Sequence, residues 1–341
     1  MNARRKFLKG IFGLSAFSAG LASGFISIKS KAAAPITSFS QNRKLGPEYN
    51  YNTNVLFKSD PAQVIYEEAF RFKADGNDLS VIEVSPKDDI YIGFDSGVLI
   101  YDLSFNFKKK LNIGKRPRAL AIKSENEIYI GAGRNVELWN LTDGTLVKRW
   151  DVPFEKGMIT AIALHEDLIF VADAGAREIY KFESDGKLIL RFGKKDASKN
   201  ISGFIIPSPY FDIFMGSDGL LWAANTGRHQ IEAYTLDGDF ELAWGKTSMS
   251  VEGFCGCCNP AYFTRDKKGQ FITSEKGIPR IKVYSPRGEF VGIVAGPENF
   301  QRYIEKPDPT RATLDVAVDS KDRVFAVDVK ENLIRVYKPK T

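Results

Sequence analysis

One phrase recurs six times between Gly93 and Tyr337: an apolar strand, a tight turn, and a second strand that closes on an aromatic residue. The clearest copies are LIFVADAGAREIYKF (Leu168–Phe182), LLWAANTGRHQIEAY (Leu220–Tyr234), QFITSEKGIPRIKVY (Gln270–Tyr284) and RVFAVDVKENLIRVY (Arg323–Tyr337). Two looser copies, IYIGFDSGVLIYD and IYIGAGRNVELWN, precede them. The closing aromatics are Tyr101, Trp139, Phe182, Tyr234, Tyr284 and Tyr337, at intervals of 38, 43, 52, 50 and 53 residues. Repeats of that length, built from short alternating strands, cannot bury an apolar face alone and stack into a ring of blades. The expected fold is all-β, a six-bladed β-propeller.

Each repeat has room for four strands. In the third, apolar residues alternate along ITAIA, LIFVA, EIYKF and KLILRF, and Asp-Gly pairs at Asp143-Gly144, Asp185-Gly186, Asp218-Gly219 and Asp237-Gly238 mark tight turns. After Tyr337 only Lys338–Thr341 remain, too little for an outermost strand. The segment Gln63–Phe72 has strand composition, so it is expected to complete the last blade and close the ring between the chain's two ends. The propeller then spans residues 61–341.

The later repeats resemble NHL repeats, in which a strand ends on an acidic or amide residue, a polar turn follows, and Arg-Ile opens the next strand. Asp173, Asn225, Glu275 and Asp328 hold the first position, and Arg280-Ile281 and Ile334-Arg335 echo the second. The likeness covers residues 158–337. It implies the fold and little chemistry, because propellers of this kind include scaffolds, receptors and lyases.

The N-terminus resembles a twin-arginine export signal: Arg4-Arg5-Lys6, Phe7-Leu8, then Lys9, a weakly apolar stretch from Ile11 to Ile28, and small residues at Ala32–Ala34. Residues 1–34 are therefore read as a leader. Tat export to the periplasm or another extracytoplasmic space is expected, with membrane attachment only if the leader is retained as an anchor. That leader carries six basic residues and no acid, so the 48 Lys and Arg and 42 Asp and Glu of the whole chain become 42 of each beyond it. A nucleic-acid partner needs a basic face and is not expected. Residues 35–60 are polar and aperiodic and read as a linker or arm.

All three cysteines fall in Phe254-Cys255-Gly256-Cys257-Cys258-Asn259-Pro260. Repeat alignment places this loop just before the first strand of blade 5, where the chain crosses between blades near the mouth of the channel. Several chemistries stay open for Cys255, Cys257 and Cys258. An exported protein favours a disulfide, Cys255–Cys257 or the vicinal Cys257–Cys258. Thiolates also suit copper, zinc or an iron–sulfur cluster, and a redox-active thiol or plain loop packing would need no metal. Glu275, Lys276 and Arg280 follow on the adjoining turn and are candidate neighbours, although Asp173, Asn225, Glu275 and Asp328 all stand where turn-forming acceptors are common. As a set, those four are the ligands that a divalent-metal lactonase would use. With only His165 and His229 in the chain, no Ser-His-Asp order or His-based metal spacing is present.

The expected function is an exported binding or assembly module of the bacterial envelope, monomeric, with a protein partner or small ligand at a rim. The first alternative is a metal- or thiol-dependent redox enzyme or electron-transfer accessory working through the cysteines. The weaker one is the lactonase-like hydrolase.

Overall fold

The structure, a computed structural model, describes residues 56–199, 201–305 and 314–341. The leader read in residues 1–34, and the polar arm up to residue 55, lie outside the described residues.

A first strand, β1 (Tyr66–Phe72), precedes the blades. Blade 1 is β2 (Ile82–Val84), β3 (Ile90–Phe94), β4 (Gly97–Tyr101) and β5 (Phe107–Asn112). Blade 2 is β6 (Ala119–Ile122), β7 (Glu127–Ala132), β8 (Asn135–Asn140) and β9 (Leu146–Asp151). Blade 3 is β10 (Ile159–His165), β11 (Leu168–Asp173), β12 (Glu178–Glu183) and β13 (Leu188–Phe192). Blade 4 is β14 (Ile213–Met215), β15 (Leu221–Asn225), β16 (Gln230–Tyr234) and β17 (Phe240–Trp244). Blade 5 is β18 (Tyr262–Arg265), β19 (Phe271–Glu275), β20 (Arg280–Tyr284) and β21 (Phe290–Ala295), followed by a short helix, α1 (Gln301–Glu305). Blade 6 contributes β22 (Val316–Val318), β23 (Val324–Asp328) and β24 (Leu333–Pro339).

Each blade is a four-stranded antiparallel meander, and the sixth has the order β22–β23–β24–β1. There β1 runs antiparallel to β24, from Tyr66 opposite Pro339 to Phe72 opposite Ile334. The innermost strands β2, β6, β10, β14, β18 and β22 are neighbours round the ring, with β22 beside β2. The protein is a six-bladed β-propeller.

The core consists of apolar layers between adjacent blades. Phe170, Ala172 and Ile179 of blade 3 pack against Leu221, Ala223 and Tyr234 of blade 4. Phe325, Val327 and Ile334 of blade 6 pack in the same way on Ile90, Ile92 and Leu99 of blade 1. The closing aromatics Tyr101, Phe182, Tyr234, Tyr284 and Tyr337 are buried, and each such ring stabilises the stack by about 1.5–3 kcal/mol. Trp139 differs: it is half-buried, and its indole N–H donates to Glu137. The glycines of the Asp-Gly turns have positive φ, as at Gly186 (87°) and Gly238 (76°), a conformation that L side chains resist.

This topology defines two faces. The crossings between blades and the turns between second and third strands open on one face. The turns between first and second strands open on the other.

Candidate functional site

The cysteine loop lies on the first of these faces and is pinned from several sides. Asn259 is the central pin: its side-chain amide donates to the carbonyls of Cys255 (2.5 Å) and Lys276 (3.0 Å), and its Oδ1 accepts the Lys276 N–H at 2.9 Å. The peptide bond that follows, Asn259–Pro260, is cis. From blade 4, the His229 ring bridges Thr247 Oγ1 (2.7 Å) and the Gly256 carbonyl (2.6 Å). A ring in this position was not legible as a loop support, because the same turn recurs elsewhere without His.

Below the loop is a buried charge network. Glu275 ends β19, and its carboxylate accepts from Arg280 Nε at 2.7 Å and Arg280 Nη2 at 3.1 Å. Lys282 Nζ lies 2.7 Å from Glu275 Oε1 and also donates to the carbonyls of Val251 and Gly253. Glu275 and Lys282 are completely buried. Burial pushes the Glu275 carboxyl up, but Lys282 and Arg280 outweigh it and hold the group below the usual range. Burial likewise depresses the Lys282 ammonium to about 8, against the pull of Glu275. The loop closes over this network through the Cys255 N–H, 3.4 Å from Glu275 Oε2, and Arg280 Nη2, 3.7 Å from Cys255 Sγ.

The three sulfurs have different surroundings. Cys255 is buried against Glu275 and Arg280, and burial, then the Glu275 charge, raises its thiol pKa. Cys257 is exposed and Cys258 buried, with their sulfurs 3.1 Å apart. The contact with Cys258, followed by burial, raises the Cys257 pKa. Among the described residues no three His, Cys, Asp or Glu side chains are gathered as a metal ion requires. The sulfurs thus do not converge as a zinc or iron–sulfur site would need. In the reduced native protein, a small alkylating reagent is expected to modify Cys257 first. Mass spectrometry should find Cys255 and Cys258 modified only after denaturation.

The other residues at the position of Glu275 hold their own blades and are not gathered into a metal-binding group. Asp173 Oδ1 accepts backbone N–H groups of Met158, Gly175 and Ala176. Asn225 accepts from the Ile205 N–H and donates to Glu232 at 2.8 Å. Asp328 accepts from Arg335 Nε at 2.8 Å and from the Glu331 N–H. Each lies at the end of a second strand, where it fastens nearby loop backbone or a third-strand side chain. Lys276, by contrast, reaches across to blade 4, with Nζ 3.0 Å from Ser208 Oγ and 4.8 Å above the Tyr210 ring.

Tyr210 leads into the channel, where its ring meets that of Tyr262 at 5.8 Å. Here two aspartates latch inner strands of adjacent blades. Asp212 Oδ2 accepts the Phe263 N–H of blade 5 at 2.8 Å, and Asp315 Oδ2 accepts the Ile82 N–H of blade 1 at 2.8 Å. Burial raises the Asp315 carboxyl to about 7. Burial, then the Asp315 charge, raises Asp212 well above its ordinary value.

No family model matches the chain. A curated protein with partial similarity is the E3 ubiquitin-protein ligase TRIM56 of Mus musculus, 28% identical over 129 residues. The match takes in 37% of this chain and 15% of that protein's length. Among solved structures, streptogramin B lyase superposes with a TM-score of 0.52 at 15% identity, over 83% of this chain and 90% of that one. At that identity the likeness is one of overall fold alone; the six blades are counted in this chain's own sheets.

Proposed function

We propose that this chain is an NHL-like propeller exported by the Tat pathway. It works as a monomeric binding or assembly module in the bacterial envelope and offers the cysteine-loop rim to a protein partner or small ligand. The observation that carries this reading is the pinning of the loop by His229, Asn259 and the Glu275 network. A surface already held in one conformation loses less entropy on binding than a loose one, so this support favours recognition.

In-cell photo-crosslinking tests the proposal, with a photoreactive residue at position 257 or, on the opposite face, at 267. A discrete adduct from 257 alone, lost on Asn259→Ala, is expected. Indistinguishable patterns from the two faces would refute a rim partner. Export has its own test: changing Arg4 and Arg5 together to Lys should leave the protein in the cytoplasm, and undiminished periplasmic protein would contradict the assignment.

The proximity of the Cys257 and Cys258 sulfurs favours a second reading, a thiol–disulfide couple. Closing the pair forms one S–S bond and passes two electrons and two protons to an oxidant such as a quinone or another disulfide. A binding module tolerates Cys257→Ser or Cys258→Ser, whereas a redox function is lost with either.

A further inference from the structure

On the face opposite the cysteine loop, the channel widens into a cavity of about 440 Å³. That size falls within the range of small-molecule sites, roughly 300–1,000 Å³. Its wall is the lower ends of all six inner strands, where Leu120, Ile162, Phe214, Met215 and Val318 alternate with polar side chains such as Thr264 and Arg265. The rim carries Asp88, Asp266 and Asp319 beside Arg265 and Lys267; Arg265 is paired with Asp218, and Asp319 with Arg323.

One acid of the lining lies within an inner strand rather than on a turn. Glu83, at the centre of β2, lines the cavity and makes no ion pair and no side-chain hydrogen bond among the described residues. Its carboxyl is served only by the backbone of Val84. The aspartates deeper in the channel have occupations, since each accepts backbone N–H groups of inner strands. Burial, with the nearby Asp315 charge, raises Glu83 to about 8, as expected of a carboxyl lacking a cation. An open cavity whose apolar side chains lie beside a carboxyl with no cation of its own suits a ligand with an apolar body and one cationic head.

We propose that this cavity is a binding site for small amphiphilic amines, with the apolar body against the inner-strand collar and the ammonium head on the Glu83 carboxylate. The site is separate from the cysteine-loop rim, and the two stand or fall independently.

Isothermal titration of the full chain at about pH 9, where Glu83 is ionised and the amine still protonated, with phenylbutylamine, phenylbutanol and phenylbutyrate tests it, because the three probes share a body and differ in the head. The amine is expected to bind, the alcohol roughly tenfold more weakly, and the carboxylate not measurably. Glu83→Gln should weaken the amine about tenfold and leave the alcohol unchanged. Met215→Trp, which fills the collar without touching Glu83, should abolish binding of both. Cooperative thermal unfolding of each variant separates loss of the site from loss of the fold. Equal affinity for all three heads, no amine binding at millimolar concentration, or an unchanged amine affinity in a folded Glu83→Gln protein would each overturn the proposal.

Discussion

Glu275→Ala is expected to lower the unfolding free energy by about 3–5 kcal/mol, the largest single effect in the cysteine-loop face. The reason is what the substitution leaves behind. Arg280 and Lys282 keep their positions on β20, almost wholly out of water, with no anion between them. Lys282, already depressed to about 8, is then expected to lose its proton, and the Cys255 N–H loses its acceptor. Two readouts follow. Urea unfolding should give a lower midpoint, and Cys255 should join Cys257 as a readily alkylated thiol. Replacing the network as a whole, with Met at 275 and 282 and Leu at 280, should cost far less, because exchanging buried charges for apolar volume is often neutral or better. A loss below about 1 kcal/mol for Glu275→Ala would mean that water reaches the network and the burial argument fails.

The ring was legible because repetition is a one-dimensional signal. Turn pairs and closing aromatics mark each blade wherever it falls in space, and the strand composition of Gln63–Phe72 marks the segment that pairs with β24. The crossing loop before blade 5 also placed the cysteines. What lies beneath them was harder to read. Arg280-Ile281-Lys282 alternates as any half-exposed strand does, and only the loop that covers it turns its polar face into a buried one. Nothing in the sequence around Lys282 marks it as buried. The channel carboxyls did leave a trace: Ile82-Glu83-Val84, Phe211-Asp212-Ile213 and Leu314-Asp315-Val316 each set one acid among apolar residues, in an inner strand or just before it. A carboxyl in that setting must find a buried partner or hold its proton.

Those carboxyls should make the propeller less stable as the pH rises from about 4 to 8. Unfolded, Asp and Glu titrate near 3.9 and 4.3; folded, Asp315 titrates at about 7 and Glu83 at about 8, with Asp212 also raised. Between those limits the folded state holds more protons than the unfolded one, so the stability slope with pH is negative. The penalty is absent below about pH 4 and grows as the pH rises through the folded values of Asp315 and Glu83. Every tenfold gain in a carboxyl's proton affinity on folding corresponds to about 1.4 kcal/mol, and after allowance for water in the channel a total loss of about 3 kcal/mol or more is expected. Glu275 acts in the opposite sense: its carboxyl is depressed in the fold, so its stabilisation is present above about pH 4.3 and is lost as the pH falls through the depressed value. Stability should therefore peak on the acid side of neutrality, near pH 4–5. Urea midpoints at pH 4.5 and 8 measure the slope. Glu83→Gln should flatten it and gain stability at pH 8, because the amide carries no charge to bury and Glu83 latches no neighbouring blade. A midpoint that rises with pH through this window would show that the channel carboxyls are ionised and solvated.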